Sequence, residues 1–166
     1  MIVFQVRPQH YEFSRLFCLF VQDLSSLPMI SRVEKIAYLK SVGMFENASS
    51  DILDKLATVA EDVTFEKGAA LITQGKKCPN LFISVEGKMG VYLQIDGRSQ
   101  EIARLNGPGK VVGEIGAVSG LTATASVIAI SDEVRLMQLG GQQFHKIVSV
   151  APDLAVTVLR SLARYL

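Results

Sequence analysis

The spacing of apolar positions divides the chain into three stretches of different period. Between residues 9 and 26, Tyr11, Phe13, Leu16, Phe17, Phe20 and Leu24 recur at roughly helical spacing and predict a short amphipathic helix, which Pro28 interrupts. Ser31 opens a second helical pattern, with Glu34 placed to complete a capping box and Val33, Ile36, Ala37 and Leu39 as its apolar face. After Gly43 and a turn-like segment at 47–50, a third helix is expected from Ser50 to Ala60, capped by Ser49 or Ser50. Leu53, Leu56, Val59 and Ala60 are its buried stripe.

The period then shortens. From residue 63 to residue 139 the apolar residues fall in brief runs, at 63–65, 70–73, 81–85, 89–95, 101–105, 126–130 and 134–139, separated by glycine or turn residues. A further strand is expected to end at Val112. Asp96-Gly97 joins two of the runs and predicts a two-residue hairpin, whose twist requires positive φ. Regularly spaced short strands with turn signals indicate a β-sandwich or barrel. Helical spacing returns at 142–149 and 153–165, with Pro152 suited to a helix's first position. The expected fold is mainly β: an eight-stranded β-roll (a jelly roll, or double-stranded β-helix) with flanking α-helices at both ends.

Composition narrows the function classes. The 166 residues suffice for one domain with a sizeable core, and 49% are hydrophobic while 20% are charged, the balance of a globular protein. The formal net charge is +1, and Lys76-Lys77 is read as a solvated loop pair, so no basic stripe points to nucleic acid. Cys18 and Cys78 lack a CxxC or Cys/His context and are read as reduced thiols, which places the chain in the cytoplasm. His10 and His145 stand alone, short of the three or four ligands a zinc site needs, and no metal is expected. The apolar run at 16–21 is far below the roughly 20 residues of a membrane span, so no span is expected. Neither a nucleophile–base pair nor a P-loop is visible, which argues against an enzyme and leaves no catalytic residue to name.

The informative stretch runs from Gly113 to Val127. Gly113 permits close backbone approach, and a short helical turn begins near Glu114, whose free amides favour an anion. The small residues from Thr122 to Ser126 leave room for a ligand and add hydroxyls. A buried Glu114 carboxylate needs a partner, which a sugar hydroxyl supplies, or else it caps the amides of its own turn. Thr124 and Ser126 fit either phosphate donors or strand hydroxyls bonded to backbone. Arg98 and Arg104 sit on hairpin strands, with solvent exposure as the default.

Gly113-Glu114-Ile115-Gly116 through Ala125-Ser126-Val127 resembles the phosphate-binding cassette of the cyclic-nucleotide-binding domain family, to which catabolite activator protein and protein kinase A regulatory subunits belong. Phe65-Glu66-Lys67-Gly68, Gln74-Gly75, Glu86-Gly87-Lys88 and Asp96-Gly97-Arg98 follow in the family's order. The resemblance covers roughly residues 40–166 and leaves 1–39 as an N-terminal helical segment or linker. It implies a regulatory domain whose ligand is cyclic AMP or cyclic GMP, and whose candidate ligand-binding residues are Gly113, Glu114, Ile115, Gly116, Ala123, Thr124, Ala125 and Ser126.

One departure weakens the implied binding. The family places an arginine for the cyclic phosphate where this chain has Ala123, and no Lys or Arg occurs from residue 111 to residue 134. A charge-assisted hydrogen bond contributes about 1.5–3 kcal/mol, so its loss weakens binding by roughly 10- to 150-fold. Two functions therefore stand. One is a sensor that binds cyclic nucleotide weakly and signals through its C-terminal helix to an attached domain. The other is a degenerate fold acting as a docking or structural module of a larger bacterial protein, such as a transporter. The stripe Leu154, Val158, Leu162 and Tyr165 on the last helix is expected to pack on a neighbour, a second copy or a downstream segment. The alternative is that it lies on 142–149 and the N-terminal helices.

Overall fold

The computed structural model describes residues 29–163. The helix expected at 9–26, Cys18 and His10 lie outside the described residues, as do Tyr165 and the side chain of Leu162. Helix α1 (Arg32–Ser41) begins at the expected capping box, in which the Ser31 hydroxyl accepts from Glu34 N and the Glu34 carboxylate accepts from Ser31 N at 2.8 Å. A 3-10 turn (Gly43–Phe45) leads to α2 (Ser50–Val59), N-capped by Ser49. Eight strands follow: β1 (Glu61–Glu66), β2 (Ala70–Ile72), β3 (Asn80–Glu86), β4 (Lys88–Ile95), β5 (Arg98–Asn106), β6 (Val111–Val112), β7 (Ser126–Ala129) and β8 (Glu133–Gly140). The short helix α3 (Glu114–Ser119) interrupts them, and α4 (Gly141–Ser149) and α5 (Pro152–Ala163) close the described chain.

The strands form two four-stranded antiparallel sheets, β1-β8-β3-β6 and β2-β7-β4-β5, the jelly-roll architecture expected. Non-consecutive neighbours in both sheets show the chain crossing from one to the other as it proceeds. The β4–β5 hairpin turns at Asp96-Gly97, with φ of 49° and 74° and Ile95 paired to Arg98. That is the turn geometry Asn or Asp followed by glycine reaches most readily.

Two apolar clusters hold these layers. The first lies between the β1-β8-β3-β6 sheet and the helices, with Leu39, Phe45, Leu56, Leu81, Ile83, Met137, Leu139 and Phe144 at its centre. Phe45 and Phe144 meet edge to face at 6.1 Å. The second fills the roll between the sheets, from Phe82, Val134 and Leu136 to Ile72, Met89 and Val127. Leu39 belongs to the first cluster, so α1 packs on the roll, and the expected division at 39/40 falls inside this helix.

One expectation about a buried face needs correction. Val33 is 78% exposed and Ala37 is also exposed, whereas Lys35 on the same helix is buried. Its ammonium lies 2.9 Å from the Asp62 carboxylate and donates to the Ala60 carbonyl at 2.7 Å, partners that a helical wheel does not contain. On α5, Leu154 and Val158 pack into the chain's own first cluster, the second of the two placements expected for this stripe. The 3-10 turn and α4 supply the surface that a short roll alone lacks, and each buried side chain contributes about 1.5–3 kcal/mol. Val156 and Leu159 remain exposed on the same helix.

Candidate functional site

The cavity of interest opens at the inner face of the β2-β7-β4-β5 sheet, where α3 follows β6. Gly113, with φ of 84°, turns the chain out of β6 and into α3, a conformation that side chains with a Cβ rarely adopt. Close approach fixes the helix from its other side. A Cβ on Gly113 would sit 2.3 Å from the Asn80 carbonyl, and one on Gly116 would sit 2.3 Å from that of Cys78. The first residue of α4 meets the same segment: Gly141 N donates to the Pro79 carbonyl at 2.7 Å, and a Cβ there would stand 2.3 Å from that oxygen. The backbone of Cys78-Pro79-Asn80 thus lies directly against both helices.

Gly113, Glu114, Ile115 and Gly116 form one wall of a cavity of about 370 Å³, and Ala123, Thr124 and Ala125 form the facing rim. Seven of the eight residues singled out in the sequence therefore line one space. Ser126 does not line it; its hydroxyl accepts from Gln74 N at 3.0 Å, tying β7 to the end of β2. Thr124 is exposed, and its hydroxyl has no hydrogen-bond partner among the described residues. The sequence did not mark the remaining walls, which come from Ile72, Cys78, Val91, Ile102, Ala103 and Leu105. Inward alternation on β4 and β5 was the available signal for Val91, Ala103 and Leu105.

The lining is mostly aliphatic and carries no Lys or Arg. Its titratable groups are the Glu114 carboxyl and the Cys78 thiol. Glu114 is 9% exposed, and burial pushes its carboxyl above the usual carboxylate range, partly offset by a hydrogen bond from its own backbone N–H. Burial also raises the Cys78 thiol, against the lowering effect of its contact with the Asn80 backbone, and the Glu114 charge adds a smaller rise. Neither arginine of the β4–β5 hairpin serves as a cavity cation. Arg98 is exposed at the hairpin end, and Arg104 turns outward to Glu101, with Nε 2.5 Å from Oε1. Among the described residues, no helix is long and apolar enough to cross a membrane, and no group of three His, Cys, Asp or Glu is placed to hold a metal ion.

The cyclic nucleotide-binding domain family model matches residues 62–150, which span the whole roll, the cavity and α4. The chain belongs to the cyclic-nucleotide-binding domain family. Among curated relatives, the cGMP-dependent protein kinase egl-4 of Caenorhabditis elegans is 30% identical over 139 residues, covering 78% of this chain and 18% of the kinase. The chain spans less than a fifth of the length of such relatives. Among solved structures, the regulatory domain of Toxoplasma gondii protein kinase A, crystallised with cyclic AMP, superposes with a TM-score of 0.68 at 20% identity. It covers 78% of this chain and 50% of that one. A regulatory subunit of a cAMP-independent protein kinase A from Trypanosoma brucei gives 0.68 at 22% identity, covering 81% and 46%. That structure is a triple mutant, with arginine replacing a threonine at one position, bound to cyclic AMP. In this cyclic-nucleotide-binding domain Ala123 lies on the cavity wall.

Proposed function

We propose that this domain senses a ligand through the cavity between 113–116 and 123–125, taking cyclic AMP or cyclic GMP weakly. Occupancy then moves α3 and, through α4 and α5, acts on an attached output domain. One observation carries the reading: seven residues of the cassette converge on a formed cavity that holds a buried carboxyl and lacks a cation. Glu114 suits a sugar hydroxyl, and Thr124 offers a free hydroxyl at the rim, yet nothing on the walls neutralises a phosphate. In this reading residues 40–166 are the sensing unit, residues 1–39 are its helical lead-in, and the protein works in the cytoplasm as a regulator, not a catalyst.

Calorimetry with cyclic AMP and cyclic GMP at neutral pH tests the proposal. The expected dissociation constants lie above about 1 µM. Values well below that require another group to replace the missing arginine and overturn this account of the cavity. A second reading, a degenerate fold used for docking, draws on the same lack of a cation. It predicts no binding in the natural sequence and recovery of binding in Ala123→Arg. The Trypanosoma brucei mutant bound to cyclic AMP, in which arginine replaces a threonine, supports that experiment by analogy.

A further inference from the structure

This inference rests on the cavity being the nucleotide site. A cyclic phosphodiester stays anionic at every pH at which a protein remains folded. Inside this cavity it meets Glu114 from α3 and a set of neutral walls. These are Ile72 from β2, Val91 from β4, Ala103 and Leu105 from β5, and Ala123 before β7. The one other titratable group facing Glu114 is the Cys78 thiol, and no basic side chain faces it from any wall. Arg104, next in sequence to two wall residues, is held outside by Glu101. Ligand and carboxylate would therefore share a largely apolar space with no side-chain cation to offset either charge, an arrangement that costs most where water is excluded.

We infer that Glu114 couples nucleotide binding to proton uptake: the anion enters as the carboxyl takes a proton from solvent. The carboxyl O–H then donates a hydrogen bond to the ligand, and a single negative charge remains in the cavity. Burial already favours the protonated carboxyl in the free protein, and an adjacent anion favours it further. The carboxyl pKa in the complex therefore lies above that in the free protein. Affinity is fully present below the free-protein pKa. It falls as pH rises between the two values, by up to about tenfold per pH unit. In a site with arginine at position 123 the ligand charge is neutralised, and the coupling disappears.

Calorimetry on the full chain tests this, with cyclic AMP titrated at about pH 5.5 and about pH 7.5 in buffers of different ionisation enthalpy, and adenosine as the uncharged counterpart. Cyclic AMP is expected to bind more weakly at the higher pH, by up to about tenfold per unit, with net proton uptake. Adenosine should show neither effect, and Glu114→Gln should remove the pH dependence. A pH-independent affinity for cyclic AMP overturns the inference, as does a dependence that persists in Glu114→Gln or appears equally with adenosine. The buffer comparison on the unaltered chain stands even if the variant folds poorly. If cyclic AMP binds only to Ala123→Arg, the coupling fails while the nucleotide site stands. If neither protein binds it at either pH, both readings fall.

Discussion

The two sheets of the roll share a topology and differ in what covers them. In the β1-β8-β3-β6 sheet, five consecutive residues of β3 are buried and β8 has a buried residue at every second position or closer, because the helices back one face and the roll interior the other. In the β2-β7-β4-β5 sheet, eight of the nine residues of edge strand β5 are exposed, and the inner face opens into the cavity. One side carries the helix-backed core and the other carries the open cavity.

The largest expected effect attacks the helix-backed side. Phe144→Ala removes a ring that is 1% exposed and should cost about 3–5 kcal/mol, read as a lowered urea midpoint. Cyclic AMP affinity of the still-folded variant reads whether the two sides are coupled through α4: a changed affinity supports that coupling, and an unchanged one breaks it. Lys35→Ala comes next. It leaves Asp62, whose side chain is 17% exposed, without its cation, at a cost of about 3 kcal/mol in the same measurement. Lys35→Met combined with Asp62→Leu should recover most of that loss, because both charges are then gone.

On the cavity side the effects move from stability to affinity. Ala123→Arg should strengthen cyclic-nucleotide binding by roughly 10- to 150-fold in calorimetry. Its melting temperature should change little compared with that of Phe144→Ala. The smallest effect concerns Glu114. Its carboxyl pKa is raised in the folded state, so its contribution to stability is fully present below the unfolded-state pKa and is lost as pH rises through the folded value. Glu114→Gln should therefore flatten that decline and be slightly more stable than the parent chain near neutral pH. Urea unfolding of both proteins across the acid-to-neutral range checks the sign.

The features legible in the sequence were those fixed by near neighbours. Asp96-Gly97 specifies its turn locally, Ser31 and Glu34 cap one another three residues apart, and Pro152 opens α5 as its missing N–H allows. The cassette was legible because α3 and its facing rim lie within 13 residues, from Gly113 to Ala125, a local span. What escaped depends on contacts made across the fold. Lys35 reads as a polar position on a helix, and only Asp62 and Ala60, 27 and 25 residues away, draw its ammonium inward. For Ser126 the sequence left two roles open, and only the arrival of Gln74 N, 52 residues earlier in the chain, selects the backbone-bonded one. The β4 and β5 walls of the cavity escaped for the same reason.

The contact of Cys78-Pro79-Asn80 with α3 and α4 is made by carbonyl oxygens on one side and by hydrogen atoms, where side chains would be, on the other. Such a joint is invisible to experiments that trim side chains, because at Gly113, Gly116 and Gly141 there is nothing to trim. It responds only to growth: a single added methyl at any of the three forces the backbones apart. The cavity is thus bounded by a mechanical linkage that tolerates no additional atom.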